Sequence, residues 1–412
     1  MRGKRLFQII ILPVLAALAG SLLLYAAAWI PDGSVRANAE ISAAQLLSKS
    51  ETVTDNGRMA YIMDYNTDAI MMMESVTLDR REPLSVWLNP MVWLGETMQR
   101  DSFAAFCAGA EPNTFYVRYW MGYRLLYRPL LTAFSYDSIT WVLSLIFLSL
   151  SVLALTGIAG KRGAPTAAAF GLSLALVNPL VVAHSPQFAS CFLLCFAALL
   201  WLLKRGGRVS LPLFFCGVGT MTQFFDFYTA PVVTLGIPLL LCVEMEHEDV
   251  RRLGGVLRAV ADWLYGYVGM WIVKLTLTTL FTPVNGLENG LVSLRGRLDL
   301  TQVRDGAQYS AGKALRAVWE TVFPGGLALP ALLLLAIALV FALLYLIRVK
   351  DRGKRDAALA ELCVSMLPIV WFSVAAQPTC IHAWFQYRGI CVSFCGLMLV
   401  LRRALRGIGI RA

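Results

Sequence analysis

The feature that most limits the folds open to this chain is a recurrence of long apolar stretches, each closed on one side by a short basic run. Crossing a bilayer takes roughly 20 apolar residues in a helix, the form that satisfies its own backbone groups in hydrocarbon. Ten such stretches can be counted, at residues 6–30, 138–160, 165–183, 188–203, 209–224, 231–243, 256–281, 327–347, 359–376 and 389–401. Charged residues make up 15% of the 412, against about 25% in soluble domains. The expectation is an all-α polytopic membrane protein, one integral membrane domain over 1–412 with about 10 transmembrane helices. The net charge of +10 does not indicate nucleic acid. Its basic residues sit in the short connections, at MRGKR, Lys161-Arg162, Lys204-Arg205, 348–355 and Arg402, Arg403 and Arg406, all on one side of the count. That asymmetry predicts a cell-membrane protein with both termini cytoplasmic. MRGKR and the apolar run behind it read as a signal anchor, with no convincing cleavage site.

The polar residues able to do chemistry gather on the other side. A large first extracytoplasmic loop is expected at 31–137 and a second at 282–326. The first holds Asp55, Asp64, Asp68 and Glu74. Residues 61–74 read YIMDYNTDAIMMME, with Asp64 and Asp68 four apart beside the apolar run Ala69 to Met73. A helix from about Asn66 would carry Asp68 in its first turn, capped by Asn66 or Thr67. Its methionines would then face a bilayer or neighbouring helices. Residues 111–130, EPNTFYVRYWMGYRLLYRPL, read as an interfacial helix with Tyr116, Tyr119, Tyr123 and Tyr127 at helical spacing. Aromatic rings at that depth are ordinary anchors, whereas Arg118 or Arg124 beside them can grip a lipid phosphate.

Three further places stand out. Asp226, in QFFDFYTAP, is crowded by Phe224, Phe225, Phe227 and Tyr228, and a carboxylate so desolvated needs a partner or a task. Lys274 lies inside a span, where a lysine either snorkels to the interface or faces a cavity. His382, Gln386, Tyr387 and Arg388 fall in one short outer turn, HAWFQYR, which is richer than anchoring needs. The nine cysteines show no metal spacing; Cys107 and Cys380 both fall on the outer side and form a candidate pair. The chain contains no N-x-S/T sequon, which fits a bacterial source.

One span, a long outer loop with acidic residues and interfacial helices, and then many spans with short loops: this layout resembles the GT-C superfamily of membrane glycosyltransferases. At motif level the resemblance rests on Asp64 and Asp68, and then on the RYWMGYRLLYRPLL and IHAWFQYR segments. It implies transfer of a sugar from a polyprenyl-phosphate-linked donor to an envelope glycan, lipid or protein acceptor, in contact with membrane lipids. By that resemblance Asp68 is the base, with Asp64 second, and Arg118, Arg124, Asp226, Lys274, His382, Gln386, Tyr387 and Arg388 contact substrate. A divalent cation stays open. The carboxylates read DYNTD where the family has a tighter acidic pair. An envelope polysaccharide polymerase or ligase, a transporter or flippase, and a non-catalytic relative are the competing readings. Transporters tend to show repeats and midplane polar groups, and of these only Lys274 is visible in the sequence.

Overall fold

Apolar stretches this long have one stable form in hydrocarbon, and each of the ten is helical. The computed structural model describes residues 2–50, 62–82, 84–96, 98–226, 228–250, 252–298, 303–304 and 307–407. Asp55 and Phe227 lie outside the described residues. The first helix, α1 (Arg2–Ala27), leads to a run of short ones, α2 (Asp32–Ser48), α3 (Tyr65–Val76), α4 (Leu84–Leu88), α5 (Gln99–Cys107) and α6 (Arg124–Leu130). The bundle continues with α7 (Tyr136–Arg162), α8 (Ala164–Ala175), α9 (Pro179–His184), α10 (Pro186–Arg205), α11 (Leu211–Phe225), α12 (Val232–Glu244) and α13 (Leu253–Phe281). After it come α14 (Gly286–Leu298), α15 (Ala311–Val322), α16 (Ala328–Arg348), α17 (Arg352–Ser365), α18 (Leu367–Val374), α19 (Ala376–Ile381), α20 (Ala383–Gln386) and α21 (Cys391–Gly407). Among the described residues the strands are two short antiparallel ladders, β1 (Met91–Val92) with β2 (Thr114–Phe115) and β3 (Val303–Arg304) with β4 (Ala307–Gln308).

Among the described residues, seven helical segments are long and apolar enough to cross a membrane, which makes this an all-α polytopic membrane protein. The other three stretches give shorter helices, α8, α11 and α12, of 12, 15 and 13 residues. The third stretch is broken rather than continuous. Asn178 adopts the left-handed region at φ 54, and Pro179 then opens α9. A proline suits the first turn of a helix but interrupts one already running.

The bundle is tightest where α11 crosses α13. A Cβ on Gly219 would strike the Trp263 carbonyl, and one on Gly266 the Cys216 carbonyl. Small residues that let two backbones touch are the usual glue between helices in lipid, where apolar burial provides no drive. The largest apolar cluster brings together α7, α8, α10, α12 and α21. Every residue of α12 is buried, whereas α16 buries Ala342 alone and turns the rest of its surface outward.

The segment between α1 and α7 builds its own core. Met71, Met72 and Met73 are fully buried with Phe103, Tyr123, Tyr127 and Tyr136, so the methionines face neighbouring helices. Residues 111–130 do not form one interfacial helix. Thr114–Phe115 pairs as a strand, the helix proper spans Arg124–Leu130, and between them Met121 has φ 52. The Gly122 N–H donates to the Phe224 carbonyl at 2.8 Å. That pairing with α11 draws the chain out of the helical path, so the four tyrosines do not share a face.

Candidate functional site

α3 begins where Asp64, at φ −93 and ψ 68, leaves helical geometry and caps the helix. Its Oδ1 accepts from the Thr67 N–H at 3.0 Å and its Oδ2 from the Thr67 hydroxyl at 2.7 Å. The cap is therefore Asp64, not Asn66 or Thr67. Burial raises its carboxyl above the ordinary range, with bonds from Thr67 and the Gln187 side chain pulling the other way.

Asp64 lines a cavity of about 740 Å³. Across from it, α14 contributes Asn289, Ser293 and Arg297, the segment before α21 contributes Gln377 and His382, and the stretch after β2 contributes Arg118 and Tyr119. Tyr228 and Gln187 also line it, with Asn66, Thr67 and Gln99. Arg297 donates to the Tyr119 hydroxyl at 2.5 Å and stands 4.8 Å from the Tyr228 ring centroid. Arg118 lies 5.9 Å over the Tyr116 ring. Gln187 is 2% exposed, and its Oε1 finds no hydrogen-bond partner among the described residues. A buried amide oxygen left open at a cavity wall is a ready acceptor for a ligand hydroxyl, since an unmet polar group is costly.

Asp68 lies elsewhere. It is fully buried and absent from the cavity wall. Its Oδ2 accepts from the Tyr136 hydroxyl at 2.7 Å, and its Oδ1 from the Gln187 N–H at 3.0 Å and the Ser185 hydroxyl at 3.4 Å. Ser185 and Gln187 open α10, whose free N–H groups and dipole favour a carboxylate. Asp68 thus fastens α3 to the start of α10. Burial, only partly offset by Tyr136 and Gln187, pushes its carboxyl up to about 8.

Most other residues singled out in the sequence fasten the fold in the same way. Lys274 donates to the Leu88 carbonyl and, at 2.9 Å, to Asn89 Oδ1, tying α13 to the end of α4. Arg124 donates to the Trp87 carbonyl at 2.7 Å. Arg128 takes the Val76 carbonyl at 3.0 Å, the Ser75 carbonyl at 3.2 Å and the Ile30 carbonyl at 2.9 Å, closing the ends of α3 and α1. Asp226 accepts from the Cys191 thiol at 2.8 Å and the Thr229 N–H at 3.0 Å, which sets the turn before α12. Gln386 accepts from the Thr379 hydroxyl at 2.9 Å, and Tyr387 donates to the Val177 carbonyl at 3.2 Å. Arg388 stacks 4.0 Å over the Phe188 ring. α20 is a single turn ending at Gln386, so of the HAWFQYR residues His382, Trp384 and Phe385 reach the cavity.

The convergence expected of Asp68, Asp226, Lys274, His382 and Arg388 therefore comes down to His382. Asp64 and Arg118 join it, and Arg297 is the cation the sequence reading missed. Its signal was present: Asn289, Ser293 and Arg297 recur every four residues, which puts a polar row on one face of α14. Cys107 and Cys380 are both free thiols. Cys380 sits beside the Ser310 carbonyl, whereas Cys107 closes α5, which packs on α2 and α3. For a divalent cation the cavity wall offers one carboxylate, Asp64, and one imidazole, His382. No three His, Cys, Asp or Glu side chains gather as metal ligands among the described residues, fewer than a cage for a hard cation takes. Fold and site together define an all-α polytopic membrane protein with a cavity of mixed polar and apolar lining between its connecting segments and its bundle. No family model, curated protein or solved structure matches the chain.

Proposed function

We propose that the chain is a membrane glycosyltransferase of the GT-C kind, with the cavity as its active site on the outer face. In this reading α8 with α9, α11 and α12 complete ten spans, and both termini are cytoplasmic. The donor is a sugar on a polyprenyl phosphate, and the acceptor is a hydroxyl of an envelope glycan, lipid or protein. The observation that carries the reading is one cavity lined by a single carboxylate, Asp64, together with Arg118, Arg297 and His382. Inverting transfer asks for that set, a base for the attacking hydroxyl and cations for the departing phosphate.

The acceptor oxygen forms a bond to the anomeric carbon as its proton passes to Asp64. The bond from that carbon to the phosphate oxygen breaks, and its electron pair leaves with the polyprenyl phosphate. Arg118 and Arg297 offset the charge gathering on that phosphate, and His382 stands beside them. Gln187 orients Asp64 through its amide and leaves its Oε1 for a sugar hydroxyl. Asp68 holds the helix that carries the base. Lys274, on which the transporter reading leans, is occupied by Leu88 and Asn89.

The test is transfer by the purified full chain in lipid nanodiscs. It is supplied with polyprenyl-phosphate-linked sugars and a panel of glycan and lipid acceptors, and released polyprenyl phosphate is measured. Release coupled to a glycosylated product, lost in Asp64→Asn and kept in Asp68→Asn, supports the proposal. The reverse pattern would move the base to Asp68 and remove the cavity argument. No transfer with any acceptor, alongside movement of a substrate across proteoliposomes, would make the chain a transporter. Joining of preformed polymers would make it a polymerase or ligase.

A further inference from the structure

A second cavity, of about 850 Å³, lies between the ends of α16 and α21 and the start of α17. The first cavity is lined by residues just before α21, and this one by residues at its close. Seventeen residues of helix at about 1.5 Å each separate them by roughly 25 Å, so they open at opposite faces of the bundle.

The charges around this second cavity are not equivalent. Arg402 and Arg403 are committed inward: Arg402 pairs with Glu244, and Arg403 with Glu244 and Glu361. Arg162 pairs with Glu246 at 3.3 Å. Arg348, Lys350, Lys354 and Arg406 are exposed, and among the described residues no carboxylate lies within ion-pair reach of any of them. Asp351, also on the wall, is engaged in capping α17 through the Lys354 N–H at 2.9 Å. Four unpaired cations thus ring the mouth. One flank of the wall is apolar. Phe341 and Leu344 line it from α16, the helix whose other faces are also turned outward. A cationic mouth on an apolar flank that runs into a lipid-length helix suits an amphiphile better than a soluble anion, which would use the charges and leave the flank bare.

We propose that this cleft binds an anionic phospholipid, its phosphate among Arg348, Lys354 and Arg406 and one acyl chain along Phe341 and Leu344. The site is independent of the transfer reaction proposed above. Other basic runs at the same face supply a comparison. Arg208 lines a cleft that it shares with the carboxylates Glu246, Glu248 and Asp249, so the run Lys204, Arg205 and Arg208 should bind anionic lipid through diffuse charge alone.

The experiment is native mass spectrometry of the full chain in non-ionic detergent, given phosphatidylglycerol, phosphatidylcholine or inorganic phosphate at equal concentration. One phosphatidylglycerol should be retained in preference to phosphatidylcholine. Interfacial basic residues each favour anionic lipid by about fivefold, so R348Q/K354Q/R406Q should lower the preference on the order of a hundredfold. K204Q/R205Q/R208Q should leave it unchanged. An equal loss in that control would reduce the effect to general surface charge and overturn the proposal. Displacement of the lipid by inorganic phosphate at equal concentration would overturn it too, because the wall would then contribute nothing. Should the triple variant fail to fold, Lys354→Glu carries the same test, at an exposed first turn where an acidic residue suits the helix dipole. It should reduce the preference at least fivefold, by about the worth of one cation, and no change would refute the site.

Discussion

At the cavity wall Arg118 meets a tyrosine ring and Arg297 a ring and a tyrosine hydroxyl, whereas in the layer beneath, Arg124 and Arg128 meet backbone carbonyls. The same contrast separates the two carboxylates of α3. Asp64 lines the cavity with one short side chain and an amide for company; Asp68, one turn on, is enclosed by a phenol, a hydroxyl and the first N–H of α10. Residue type and spacing are alike in the two layers, and surroundings decide the job. A buried charge is tolerable when backbone groups satisfy it, and it then serves as a rivet. A charge left at a concave wall keeps bonding capacity to spend on a ligand.

Substitutions can break this contrast or sharpen it. The largest effect belongs to Asp64→Asn. Asparagine still caps α3, and a positioned base contributes about 10²–10⁴-fold to rate. Transfer should fall by that much while the melting temperature in detergent stays close to that of the parent; equal loss of both would make Asp64 a rivet as well. Arg128→Met comes next. It strips partners from the carbonyls of Ile30, Ser75 and Val76, and charged hydrogen bonds of this kind contribute about 1.5–3 kcal/mol each. A loss of roughly 3 kcal/mol is expected in denaturant titration, with the rate per folded molecule unchanged.

Asp68→Asn should cost about 1–3 kcal/mol, the price of disturbing one buried bonded group, and it also carries a pH signature. The folded-state carboxyl titrates at about 8 against an ordinary 3.8. Its contribution is therefore complete below about 4 and is lost as the pH rises through about 8. The parent should melt progressively lower across that window, and Asp68→Asn should flatten the slope. A shallower slope should remain from Glu74, which burial pushes up to about 7. An unchanged slope in the variant would show that Asp68 is ionised in the fold. Smallest is Ser293→Ala on α14, expected to change the Michaelis constant for donor by a few-fold, about 1 kcal/mol, with no effect on stability.

The helices were legible in the sequence because lipid imposes length and composition directly. The boundaries of α7, α13 and α16 follow from apolar runs alone. The break at Asn178 was less visible, since proline marks a boundary without saying which side bends. The site was half legible. Asp64, Arg118 and His382 stand out as polar residues beside apolar ones, but whether such a residue faces a cavity or a carbonyl depends on which helix end lies opposite. That is a long-range fact: Lys274 meets Asn89 across 185 positions of sequence. Residues 111–130 misled for a related reason. Their tyrosine spacing is helical, yet pairing of Gly122 with Phe224 overrides local periodicity.

One rivet bears on how the chain is made. Glu244 ends α12, a helix of 13 residues with no exposed face, and its carboxylate meets Arg402 from a point 158 residues further along the chain. During synthesis, α12 and its acidic end leave the insertion machinery long before the arginines exist. Until α21 arrives, that carboxylate lacks both arginines and has the Thr166 hydroxyl beside it, so water is its better surroundings. A chain that stopped short of Arg402 would bury Glu244 without either arginine, at a cost of about 3–5 kcal/mol.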